Sequence, residues 1–105
     1  MVNLDLYRVF YVVAKRGSLT KAAEELYISQ PAVSQSVKQL ENQLGVALFN
    51  RTHRGMELSE EGGKRIIDRV ERALRLFEEA EKEVCATGEN GNEEIRISAP
   101  EEVFR

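Results

Sequence analysis

The segment from Ser18 to Gly45 most narrows what this chain can fold into, because it holds two helical patterns only three residues apart. In the first, "LTKAAEEL", Ser18 is placed as an N-cap, and Ala22 and Ala23 remove side-chain bulk where two helices would cross closely. That helix ends near Leu26. In the second, "SQPAVSQSVKQLE" from Ser29 to Glu41, Ser29 is the N-cap and Pro31 falls in the first turn, where its missing N–H costs nothing. Val33, Val37, Leu40 and Leu44 recur at helical spacing, so a helix is expected over 30–43 with those four as its buried stripe and Gly45 beyond its end. The intervening "YIS" makes the pair a helix-turn-helix, although the glycine often found in such a turn is absent.

The flanking segments complete a small domain. Residues 3–16 place Leu6, Val9, Phe10 and Val13 on one face of an amphipathic helix that Gly17 stops. From Leu48 to Leu58 the helical period disappears, and "LFNRTHRGMEL" fits a short strand pair, a wing at 48–58, turning at "THRG" with Gly55 free to take positive φ. Ser59, with Glu60 and Glu61 in the first turn, then starts another helix despite Gly62 and Gly63, each of which costs roughly 1 kcal/mol against alanine. Ile66, Val70, Ala73, Phe77, Ala80 and Val84 form a heptad seam on it. A helix of about 28 residues is roughly 42 Å long, more than the small domain in front can cover, so the seam needs another partner. The alternation of small Ala73 and Ala80 with large neighbours suits a second copy packed antiparallel. The expected class is mainly α: a winged helix-turn-helix domain at 1–58, a long dimerisation (linker) helix at 59–88, and a hinge at 89–105. That hinge carries the strand-like "IRISA" of a truncated further domain.

Charge sharpens the division. The net charge of −3 argues against a nucleic-acid partner only until its distribution is considered. Residues 1–58 carry seven Lys and Arg against five acids, or +2, and the rest carries eight against thirteen, or −5. A mildly basic front suits a half that meets phosphate. The single cysteine, Cys85, cannot form an internal disulfide, and the longest early apolar run, "VFYVV", is too short to span a bilayer. A reducing compartment, the cytoplasm, is the expectation.

One histidine, one cysteine, no glycine-rich phosphate loop and no metal-ligand spacing leave no enzymatic constellation, so no catalytic residue, metal or cofactor is expected. The helix at 30–43 is different. Opposite its apolar stripe, Gln30, Pro31, Ser34, Gln35 and Lys38 share one face of small polar groups with a lone cation. Such a face is either ordinary solvated surface or one that enters the major groove of duplex DNA, where glutamine can bond adenine in bidentate fashion and serine can bond either partner of a base pair. The tight turn, the packing helix and the basic wing favour the second reading. Gln30, Pro31, Ser34 and Gln35 are then candidates for base contacts, and Thr20, Ser29, Ser36, Lys38 and Arg51 for phosphate. Arg54 in the wing turn would enter the minor groove. His53 beside it reads first as a solvated loop residue and second as lying near DNA. The alternative for Arg51 is an ion pair with Glu41. A dimeric interaction scaffold and an RNA-binding winged helix are the competing functions.

The residues "VAKRGSLTKAAEELYISQPAVSQSVKQLENQLGVALFNRTHRGMELSEEG" resemble the amino-terminal domain of LysR-type bacterial transcriptional regulators, with a match over about 3–63. The long helix and "EEIRISAP" look like that family's linker helix and the first strand of its ligand-sensing domain. The resemblance implies a winged helix-turn-helix that reads an inverted-repeat operator as a dimer of antiparallel linker helices. It also implies a small-molecule coinducer for a carboxy-terminal domain, and allows higher oligomers and RNA polymerase as a partner. Carried over by position, Gln30, Pro31, Ser34 and Gln35 meet bases and Arg54 serves the wing. Family members often carry arginine where Gln35 stands, and "SEEGG" replaces the more usual threonine-led start of the linker helix.

Overall fold

The computed structural model describes the backbone of residues 2–91 and the side chains of residues 2–85. In chain order these form α1 (Leu4–Arg16), α2 (Leu19–Leu26), α3 (Gln30–Leu44), β1 (Phe49–Thr52), β2 (Gly55–Leu58) and α4 (Gly63–Gly91). The part of the expected hinge and truncated domain from Asn92 onward lies outside the described residues. Two units are separated near Arg72, so α4 contributes its first part to one and its remainder to the other.

The first unit packs α1, α2 and α3 around a core of Phe10, Val13, Val33, Leu40 and Leu48, all fully buried. Each helix carries its own start and stop. Asn3 caps α1 through a 2.7 Å bond from the Asp5 amide, Ser18 caps α2 through the Lys21 amide, and Ser29 caps α3 through the Ala32 amide. Gly17 and Gly45 end α1 and α3 in the left-handed conformation. The turn between α2 and α3 has no glycine, and Tyr27 takes the left-handed backbone instead (φ 59°), with its side chain 93% exposed. The buried stripe of α3 is Val33, Val37 and Leu40 alone; Leu44, expected to continue it, is 36% exposed, because the helix ends there and Gly45 turns the chain away.

β1 and β2 pair antiparallel with Phe49 opposite Leu58 and Thr52 opposite Gly55. Phe49 seats this ribbon on α1 by packing its ring 5.4 Å from that of Phe10. α4 starts later than Ser59: residues 60–62 form a turn, so Glu60 and Glu61 precede the helix. The Ser59 side chain is fully buried and accepts the amides of Gly62 and Gly63 at 3.2 and 3.0 Å. The two glycines are required by close approach: a Cβ would come within 2.6 Å of the Ala47 carbonyl oxygen at Gly62 and 2.2 Å of the Leu48 carbonyl oxygen at Gly63. Their cost to helix propensity is the condition for seating the helix start against the 47–48 backbone. Val70 is covered within this unit and Ile66 half-covered.

In the second unit, described to Gly91, α4 continues with Leu76, Phe77 and Val84 65%, 51% and 69% exposed. Ala73 and Ala80 are exposed as well. The seam left open is therefore Ala73, Phe77, Ala80 and Val84, with Leu76 beside it. Cys85 is an exposed free thiol. No helix among the described residues is long and apolar enough to cross a membrane.

Candidate nucleic-acid interface

Burial of Val33, Val37 and Leu40 fixes the rotation of α3 about its axis, and the opposite face follows from that. Gln30, Pro31, Ser34, Gln35 and Lys38 are all exposed, whereas Ser36 is half-buried at the margin. At the front of α3, Pro31 has no N–H, the Ala32 amide bonds the Ser29 hydroxyl oxygen and the Val33 amide bonds the Ser29 carbonyl. Gln30 stands at the first helical position, where a backbone N–H has no partner inside the helix. Thr20 is exposed in the first turn of α2.

The wing turn is built by its own side chains. Thr52 donates its hydroxyl to the Gly55 carbonyl at 3.2 Å and accepts the Arg54 amide at 3.1 Å, leaving His53 and Arg54 exposed at the tip. The Arg54 guanidinium lies 3.6 Å from the Glu57 carboxylate, with both side chains largely in water, so this pair is weak and open to exchange for an external anion. Gly55 has φ 118°, and the Met56 amide next to it bonds the Gly17 carbonyl at 3.0 Å.

Between α3 and the ribbon is a recess of about 190 Å³ with Ser34, Lys38, Glu41 and Arg51 on its walls and Val37 and Phe49 among its apolar lining. The Glu41–Arg51 ion pair offered as an alternative is not formed. Glu41 bonds main-chain amides of residues 48 and 49 instead, and neither Lys38 nor Arg51 has an ion-pair partner among the described residues. Sequence reasoning missed this role of Glu41, yet a signal was present: a carboxylate one position after Leu40, at the edge of a buried stripe, needs donors other than water. Elsewhere in the unit, Glu25 of α2 bonds Arg16 at 2.7 Å and lies 3.5 Å from Lys15, tying α2 to the end of α1. The Arg16 hydrogen bond holds the Glu25 carboxyl below the usual carboxylate range. Among the described residues no group of His, Cys, Asp and Glu side chains is arranged to hold a metal ion.

The family model for bacterial regulatory helix-turn-helix proteins of the lysR family matches residues 4–63. This chain belongs to the LysR family. A curated relative, the RuBisCO operon transcriptional regulator of Allochromatium vinosum, is 51% identical over 61 residues, which is 58% of this chain and 20% of that protein. The chain thus spans about a fifth of the length of the curated relatives it matches. Two solved structures are similar throughout their own length. The CbnR DBD–DNA complex gives a TM-score of 0.71 at 31% identity, over 83% of this chain and 99% of that one. The BenM DBD with catB site 1 DNA gives 0.75 at 26%, over 87% and 97%. The LysR-family match ends at Gly63, where α4 begins.

Proposed function

We propose that this chain is the sequence-specific, duplex-DNA-binding portion of a transcription regulator. The observation that carries the reading is the exposed polar face of α3, held outward by the burial of Val33, Val37 and Leu40 and flanked by a cationic wing. An α-helix fits the major groove, so Gln30, Pro31, Ser34 and Gln35 meet base edges. Thr20, Ser29, Ser36, Lys38 and Arg51 meet phosphates on either side, and Arg54, with His53 beside it, reaches the minor groove. Similarity to the CbnR and BenM DNA complexes supports DNA as the partner.

The open seam of α4 pairs with a second copy, antiparallel, so that the two wings and two α3 helices address half-sites of an inverted repeat about one DNA turn apart, roughly 34 to 36 Å. In the whole regulator, a further domain takes a small-molecule coinducer, and contact with RNA polymerase and assembly beyond the dimer belong to that larger protein. The cytoplasm is its compartment. Selection of bound duplexes from a random library tests binding, symmetry and spacing together. A recovered inverted repeat, bound with an affinity that falls steeply with salt, is the expected result, and binding without sequence preference or salt dependence would overturn the reading.

A further inference from the structure

Glu41 is half-buried on α3, three residues past Lys38, and it holds the start of the wing. Its carboxylate Oε2 accepts the Leu48 amide at 2.7 Å and the Phe49 amide at 3.3 Å. Its main-chain carbonyl accepts the amides of Gly45 at 2.8 Å and Val46 at 3.2 Å. One residue of the recognition helix therefore secures both ends of the connector that leads into β1. Bonds to an ionised acceptor are roughly twice as strong as neutral ones, and here the donors are main-chain amides, which no rotamer change can move away. Further ties, from the Met56 amide to the Gly17 carbonyl and from Phe49 to Phe10, run to the end and the side of α1, and Ser59, just after β2, bonds the Ala47 and Leu48 carbonyls. Among the described residues, Glu41 alone ties the connector to α3 through a side chain.

We propose that Glu41 is a positioning residue for DNA recognition: it fixes the wing relative to α3, so that contacts in the major groove and at the wing tip form as one rigid unit. This rests on the DNA-binding reading above. Two grooves can be engaged together only if helix and wing keep a set separation. A connector free to move would have to be ordered at the moment of binding, and each residue ordered then subtracts from affinity. The bonds from Glu41 place that ordering in the fold itself. With Glu41 engaged in this way, Arg51 lines the recess together with Lys38 and has no ion-pair partner among the described residues.

The test is a double-mutant cycle on the selected duplex, read by fluorescence anisotropy, with Arg54→Ala reporting the wing and Gln35→Ala reporting the helix. In the otherwise unaltered chain, Arg54→Ala is expected to weaken binding about tenfold, and in Glu41→Ala by less than about threefold, because a mislocated wing has little left to lose. The Gln35→Ala loss stays the same in both backgrounds. Glu41→Gln keeps an acceptor oxygen for the Leu48 amide and restores the full Arg54→Ala loss, an outcome that a general loss of stability would not produce. If Glu41→Ala does not fold at the assay temperature, Glu41→Asp replaces it, since its shorter side chain keeps the charge and loses the reach. An additive cycle in which Arg54→Ala costs the same with and without Glu41 overturns the proposal. Failure of the unaltered chain to bind any duplex would instead overturn the DNA-binding reading on which it rests.

Discussion

Gly55 of the wing lies so close to Gly17 at the end of α1 that a Cβ on Gly55 would stand 2.3 Å from the Gly17 carbonyl oxygen. The same carbonyl accepts the Met56 amide, so the approach is held by a bond and cannot be relieved by a small shift. Gly55→Ala therefore meets both a backbone clash and a φ of 118°, a region that only glycine occupies readily. We expect a loss of about 2 to 4 kcal/mol in thermal or urea unfolding, at the upper end of backbone-strain effects. Unchanged stability would mean that the wing moves freely off α1.

Ser59 predicts a comparable loss by another route. Its buried hydroxyl donates to the part-buried Ala47 carbonyl at 2.6 Å and accepts two amides at the entrance to α4, so Ser59→Ala strands two buried amides and removes the donor to a third main-chain group. A cost of about 2 to 4 kcal/mol follows from the lost cap and the unsatisfied groups. Denaturant unfolding measures it, and Ser59→Thr, which keeps the hydroxyl, should recover much of the loss unless its added methyl is too large for the site.

The helices of the first unit are legible in the sequence because most of their ends are marked: Ser18 and Ser29 are side chains that bond their helix, and Gly17 and Gly45 are the residues that leave it, whereas the Asn3 cap of α1 and the Tyr27 end of α2 emerge only in the structure. The exposed face of α3 is legible for the same reason, since three buried aliphatic residues fix its rotation. What could not be read are contacts between segments distant in sequence. Gly62 and Gly63 look like poor helix formers until the 47–48 backbone is placed against them, and Ser59 looks like an N-cap directly before α4 until Glu60 and Glu61 are seen in a turn. Glu41 was open to an ion pair with Arg51, because periodicity says which face a carboxylate occupies and nothing about which donors meet it there. The heptad spacing of α4 gives one uniform seam, whereas Val70 already belongs to the first unit's core.

Tyr27 is a position at which the chain can be stabilised. A tyrosine in the left-handed region costs about 1 to 2 kcal/mol, and this one recovers little through packing because its side chain is almost wholly exposed. Tyr27→Gly removes that strain and adds back roughly 0.5 to 1 kcal/mol of unfolded-chain entropy, so a net gain of about 0.5 to 1 kcal/mol is expected in the midpoint of unfolding. A loss would reveal that the ring makes contacts in the folded state.

Glu25 makes stability depend on pH in a defined sense. Its folded-state carboxyl is held below the usual range, first by the Arg16 hydrogen bond and also by the nearby charges of Lys15 and Arg16, so folding favours the ionised form. The stabilisation is complete above the ordinary carboxylate range and disappears as pH falls through the lowered folded value. Glu25→Gln should therefore be less stable than the unaltered chain at neutral pH, with the gap closing in acid. The pair is exposed enough that the gap will be modest, and added salt should shrink it further. Urea unfolding across that pH interval decides it, and a gap that widens in acid would contradict the assignment.

The division of labour along α3 gives the sharpest functional expectation. Gln35 and Lys38 are three residues apart on the same exposed face, yet an amide and an ammonium read different parts of a duplex. A glutamine bonding a base edge in bidentate fashion discriminates among base pairs, so Gln35→Ala should cost about 1 to 3 kcal/mol at one position and relax the preference there. Lys38 lines the recess with Arg51, and on the proposed reading its partner is a phosphate, which every sequence supplies. Lys38→Ala should then weaken all duplexes by about the same factor and reduce the slope of log K against log[salt] by about one. Binding profiles over all single-base variants of the selected site, at two salt concentrations, separate the two effects. If both substitutions lower binding uniformly, Gln35 is not reading bases, and the specificity of this face must rest on Gln30 and Ser34.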